Sequence, residues 1–84
     1  MKIELRFFAS VRERLGTAEC ELDGGTLPAD LDALREALAA RGDVFREVLA
    51  QPNLVCAVNQ AVVHGNAALR PGDEIAFFPP VTGG

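Results

Sequence analysis

At 84 residues, 49% of them hydrophobic and 24% charged, the chain is sized for one domain around one small core and is too apolar to be disordered. Its 12 acidic residues outweigh 8 basic ones for a net charge of −4, which excludes a surface that tracks nucleic-acid phosphates or anionic lipid and suits a basic patch on a protein partner. Residues 1–6 carry no apolar signal core and no stretch approaches a membrane span, so the expected setting is the cytoplasm.

Residues 2–9 alternate, with Ile3, Leu5 and Phe7 on one side and Lys2, Glu4 and Arg6 on the other, which predicts a half-buried strand. Phe8 falls on the polar side, where an aromatic ring needs something to cover it. A turn at Leu15-Gly16-Thr17 leads to a second alternating run over residues 18–22, closed by Asp23-Gly24-Gly25. Together the two runs read as a hairpin with a wide connection over residues 10–16.

Residues 30–42 predict the main helix, with Asp30 as N-cap, Gly42 at the C′ position and Leu31, Leu34, Ala37 and Leu38 as its apolar stripe. A shorter helical segment over 44–50 precedes Pro52-Asn53. Residues 54–59 then form an apolar run, a buried strand whose direction the run leaves open. Gln60 turns the chain into another strand over 61–64, Gly65-Asn66 makes a turn, and Arg70-Pro71-Gly72-Asp73 has the composition of a tight turn. In the last strand, 74–78, Ile75 and Phe77 point to the core while Glu74, Ala76 and Phe78 point outward. If the first and last strands are neighbours, Phe8 and Phe78 share one sheet face and mark a docking patch.

Cys20 and Cys56 lack a CxxC or Cys/His cluster and sit among strand formers, so both read as small buried hydrophobes, and no metal site is expected. His64 has no Ser, Cys or second His at a catalytic spacing and reads as a strand-end side chain. The chemistry is expected instead after the last strand. Pro79 and Pro80 end that strand and hold the following chain extended, and Val81-Thr82-Gly83-Gly84 continues to the carboxyl group. Residues 79–84 would project about 20 Å from a domain formed by residues 1–78. Gly83 and Gly84, without Cβ atoms, can pass a channel too narrow for a side chain. A plain frayed end is the competing account, but it leaves the aromatic and proline lead-in unexplained. The Gly84 carboxylate, once activated on the α-phosphorus of ATP, would be open to a sulfur or nitrogen nucleophile.

The order strand, strand, helix, strand, strand, strand before a Gly-Gly end resembles the β-grasp fold of ubiquitin-like proteins, an α+β class with a mixed sheet of about five strands and one main helix. Phe7-Phe8-Ala9 with Val11-Arg12-Glu13, then Ala57-Val58-Asn59-Gln60, then residues 73–84 with their Phe-Phe-Pro-Pro-Val-Thr-Gly-Gly block, narrow it further. Across its whole length the chain resembles the small, sulfur-carrying subunits of molybdopterin synthase. The terminal block is the specific part, and the stretch from Leu27 to Leu31 departs by one extra residue.

The resemblance implies a carrier cycle. A partner like the ubiquitin-activating enzymes adenylates Gly84 using ATP, and a sulfur donor such as a cysteine desulfurase or rhodanese-type protein converts it to a thiocarboxylate. The tail then delivers sulfur to cyclic pyranopterin monophosphate in the large synthase subunit. It further implies no permanently bound cofactor, no activity of the small subunit alone, a heterotetramer, and partner contacts at Phe8, Arg12, Val62, Phe78, Pro79, Pro80, Val81 and Thr82. For Arg12 an ordinary solvated arginine is an equally available reading. Two alternatives share the fold. One is a ubiquitin-like modifier conjugated through Gly84, for which the single lysine, Lys2, rules out chains through several lysines. The other is the sulfur carrier of thiazole synthesis, usually shorter and without the Phe-Phe-Pro-Pro lead-in.

Overall fold

The computed structural model describes residues 2–23 and 27–80. Its elements run β1 (Lys2–Phe7), α1 (Ala9–Leu15), β2 (Glu19–Asp23), α2 (Leu31–Ala39), α3 (Asp43–Leu49), β3 (Val55–Val58), β4 (Ala61–Val63) and β5 (Glu74–Phe78). The strands form one mixed sheet in the order β2-β1-β5-β3-β4. β1 pairs antiparallel with β2 and parallel with β5, in a register that sets Leu5 beside Ile75 and Phe7 beside Phe77. The direction left open for residues 54–59 is resolved: β3 runs antiparallel to both β5 and β4. This is the α+β, β-grasp arrangement.

Among the described residues, one sheet face is covered by helices and the other is left open. Ile3, Leu5 and Phe7 from β1, Ile75 and Phe77 from β5, and Cys56 from β3 meet Leu31, Leu34 and Leu38 from α2, Val48 and Leu49 from α3 and Val11 from α1 in a single apolar cluster. The period-2 alternation that delivers these strand residues is the half-buried pattern, and their burial supplies the main folding drive. Phe7 stacks on Phe77 with ring centroids 6.1 Å apart and meets Phe45 edge-on at 6.4 Å, which ties β1, β5 and α3 together.

The main helix begins where expected. Asp30 is its N-cap, with an extended backbone and a side chain accepting from the Ala33 N–H at 2.8 Å. Two expectations about α2 need correction. Ala37 is exposed: at about 100° per residue it stands roughly 90° from the centre of the Leu31, Leu34, Leu38 stripe, and half-buried Arg35 lies closer to that centre. Gly42 is not a left-handed C′ residue either. Its φ of 162° is extended, and it serves as N-cap of α3, while α2 ends at Ala40 in a right-handed conformation.

A larger correction concerns residues 10–16, expected as an open connection. Residues 10–15 belong to α1, with Gly16 as its C-cap, and β1 accordingly stops at Phe7. Val11 and Leu15, four apart, put one side of this short helix against the core, and Gly16, with φ of 74°, closes it by donating its N–H to the Arg12 carbonyl at 2.9 Å. An ion pair between Arg14 and Glu47, 2.7 Å, joins α1 to α3 at the surface. The tight turn at residues 70–73 forms as read, with the Asp73 N–H donating to the Arg70 carbonyl at 3.1 Å and Gly72 at φ 93°.

Candidate functional site: the bare sheet face at the end of the last strand

The outward residues follow directly from the register. Between Glu4 and Glu74, Arg6 and Ala76, Ala57 and Ala76, Val55 and Phe78, and Ala57 and Val62, every pair is a lateral neighbour on the side away from the helices. The face therefore has two halves. On β2 and β1 it is charged: Lys2 bonds Glu21 at 3.2 Å and lies 3.7 Å from Glu4. On β5, β3 and β4 it is apolar except for Glu74.

Phe8 and Phe78 meet on the apolar half. β1 and β5 are neighbours, the condition on which the expected pairing depended, and the two rings contact edge-to-face with centroids 6.5 Å apart. Phe8 keeps 45% of its surface exposed and Val62 52%, values that place large apolar groups in water with none of the described residues over them. Together with Ala57 and Ala76 they floor a shallow depression of about 460 Å³, and Arg6, Glu74 and Gln60 form its polar rim. Arg6 Nε donates to Glu74 Oε2 at 2.9 Å, so that part of the rim is internally paired.

Phe8 owes its position to the unexpected helix. Its backbone is extended as the N-cap of α1, its N–H donates to the Phe77 carbonyl at 3.1 Å, and Ala9 follows with a positive φ of 52° that breaks the strand. Arg12 lies on α1 one turn further on, its N–H reaching the Phe8 carbonyl at 3.4 Å, and its side chain is exposed. Pro79 and Pro80 leave β5 directly beside Phe78, half-buried and exposed respectively. Val81, Thr82, Gly83 and Gly84 lie outside the described residues, as do Gly24 and Gly25.

Sequence reading identified Phe8, Val62 and Phe78 but passed over Ala57, Ala76, Gln60, Arg6 and Glu74. Small alanines carry no signal of their own. Only the lateral register, which puts Ala57 beside Ala76 and Val62, reveals that they leave room between the larger side chains.

The remaining reactive groups point elsewhere. Cys56 is buried in the core, and Cys20 is half-buried against it. Burial pushes both thiols up, against a weaker opposing pull from Arg35 on Cys56 and Arg41 on Cys20, so neither is a ready thiolate. Among the described residues no group of three or more His, Cys, Asp or Glu could hold a metal ion. His64 is exposed just beyond β4.

With that geometry in place, comparison with known proteins is decisive. Residues 5–84 match the ThiS family profile. The chain belongs to the ThiS family. Within it, the chain is similar to the molybdopterin synthase sulfur carrier subunit of Escherichia coli strain K12, 45% identical over 98% of this chain and 99% of that one. It is also similar to small archaeal modifier protein 3 of Haloferax volcanii, 38% identical over the full length of both. Among solved structures, this ThiS-family chain superposes on one in a complex of molybdopterin-converting factor subunits 1 and 2 from Helicobacter pylori 26695, with a TM-score of 0.69, 27% identity and complete coverage of both chains.

Proposed function

We propose that this ThiS-family chain is the sulfur-carrying small subunit of a molybdopterin synthase. The observation that carries the reading is the full-length likeness to a sulfur carrier subunit of that enzyme, in a molecule whose last strand runs out beside an uncovered aromatic patch. The structure of the Helicobacter pylori complex supports a protein partner of the large-subunit kind. A cytoplasmic setting belongs to the same proposal. Among the described residues no helix is long and apolar enough to cross a membrane.

In this reading the folded domain docks and residues 79–84 deliver. Phe8, Phe78 and Val62 anchor the face, with Arg12 at its margin, and Pro79 to Thr82 lead Gly83 and Gly84 into the partner's site. Adenylation joins a Gly84 carboxylate oxygen to the α-phosphorus of ATP and releases pyrophosphate. Attack by the terminal sulfur of a donor's cysteine persulfide on the carbonyl carbon then expels AMP and forms an acyl disulfide, and a second thiol releases the thiocarboxylate by itself forming a disulfide with the donor cysteine. That sulfur is handed to cyclic pyranopterin monophosphate inside the large subunit, and two such transfers build a dithiolene. Tethering raises the effective concentration of the sulfur at its acceptor, which is the chain's own contribution to the rate. Acid and base groups would come from the large subunit, and the small subunit alone is inactive.

Incubation with ATP, the activating enzyme and a sulfur donor is expected to give an intact mass shifted by one oxygen-to-sulfur exchange at Gly84. Deleting Gly83 and Gly84 is expected to abolish pterin conversion while leaving association with the large subunit nearly intact. Full conversion by the truncated chain would overturn the mechanism.

The likeness to a small archaeal modifier supports a second reading, conjugation of Gly84 to an amine. Lys2, the single lysine, lies within hydrogen-bond reach of Glu21 on the sheet surface. The bond to Glu21, and then the charges of Glu21 and Glu4, raise its pKa and hold it as an ammonium.

A further inference from the structure

The β3–β4 hairpin turns through two residues only, Asn59 and Gln60, because Val58 pairs directly with Ala61. Both have positive φ, 51° for Asn59 and 71° for Gln60, the combination a two-residue type I′ turn requires. For Asn59 this is favourable chemistry. Asparagine tolerates the left-handed region, and both ends of its amide are engaged: Nδ2 donates to Asp73 Oδ1 and Oδ1 accepts from the Glu74 N–H, both at 3.0 Å.

Gln60 has neither advantage. A long, unbranched side chain gains nothing from the left-handed region, where glycine is the residue that carries no steric cost and Asn-Gly is the favoured pair. Its amide makes no hydrogen bond among the described residues. Yet the same residue lines the apolar depression, at its Glu74 end: the turn follows Val58, which pairs with Ile75, and Asn59 bonds Glu74, whereas Phe78 pairs with Val55 at the far end of β5. Strain retained at a surface position, with an unspent donor and acceptor at the end of the depression opposite its aromatic pair, is the signature of a residue kept for contact with something else.

We propose that Gln60 is a specificity contact for the large synthase subunit, its amide hydrogen-bonding a backbone N–H or carbonyl of that partner as the apolar patch closes. This rests on the docking reading above and deepens it. Phe8, Phe78 and Val62 supply non-directional burial, which tolerates sliding. One directional bond at the rim fixes the register of the docked face, and so fixes where residues 79–84 start.

The test compares Gln60→Gly, Gln60→Met and Phe78→Ala in direct binding to the purified large subunit, with melting curves of each free protein. Gln60→Gly removes both strain and amide, and it is expected to melt about 2–6 °C higher while binding about three- to tenfold more weakly. Gln60→Met keeps length and strain but loses the amide, so it is expected to bind equally weakly without the gain in melting temperature. Native-strength binding by either Gln60 variant, alongside weakened binding by Phe78→Ala, overturns the role of Gln60 while leaving the docking face standing. Unchanged binding by Phe78→Ala overturns the docking face and this inference with it. A Gln60→Gly protein that melts no higher removes the strain on which the argument is built.

Discussion

Single residues divide cleanly here into those that hold the fold and those that face outward. Phe77 and Phe78 are adjacent, but one stacks in the core and the other, half-buried, rests on exposed Phe8 on the opposite sheet face. Replacing Phe78 by Ala is therefore expected to leave the domain folded and to weaken large-subunit association by about 1–3 kcal/mol, read by calorimetry. Asp73 is an opposite case, a surface carboxylate with a structural task. Its oxygens accept from the Asn59 amide and from the Arg70 N–H at 2.8 Å, and these two bonds, in that order, hold its pKa below the ordinary 3.8. A carboxyl depressed in the folded state stabilises fully above its unfolded value and loses that contribution as pH falls through the folded one. Stability is thus expected to drop below about pH 4, and Asp73→Asn to flatten that part of the profile in denaturant titrations across pH. At this scale the sequence was most legible where alternation was strict, since Ile75, Phe77 and Phe78 take the sides their positions dictate. Gln60 was readable only as a turn, because its cost lies in a backbone angle that its side chain does not announce.

Among the elements, α1 repays the closest look. Its seven residues hold only Val11 and Leu15 as core contacts, about two turns of pattern, and its N-cap, Phe8, offers no side-chain bond to the first turn. A period so short cannot outweigh the strand signal running into it from β1, and that is why the segment reads as open connection until the structure is seen. By contrast α2 has a capping aspartate and three buried leucines, enough repeats for its position to be read directly. What the sequence did mark at α1 was its end. Gly16 sits at φ 74° with open space where a Cβ would be, so Gly16→Ala meets no clash and pays only the left-handed backbone. The expected loss is about 1 kcal/mol in urea unfolding. Because α1 sets the extended backbone of Phe8, the same substitution is expected to loosen that ring's contact with Phe78.

On the scale of the molecule, charge and apolarity are sorted across one sheet face, with Lys2, Glu4 and Glu21 toward β2 and the aromatic patch toward β4. A chain of net charge −4 approaching a basic partner surface is expected to associate more slowly as salt rises, about three- to tenfold between roughly 0.05 and 0.5 M, with a smaller change in dissociation, as stopped-flow mixing would measure. The sheet order carries a consequence for biosynthesis. β5, which follows the other four strands in sequence, is threaded between β1 and β3, so it joins the two halves of the sheet only after both have been made. A nascent or clipped chain lacking those residues has no central strand, no Phe7–Phe77 stack and no paired aromatic patch. A partner that grips the patch would thereby meet it only on chains in which β5 has been made and inserted.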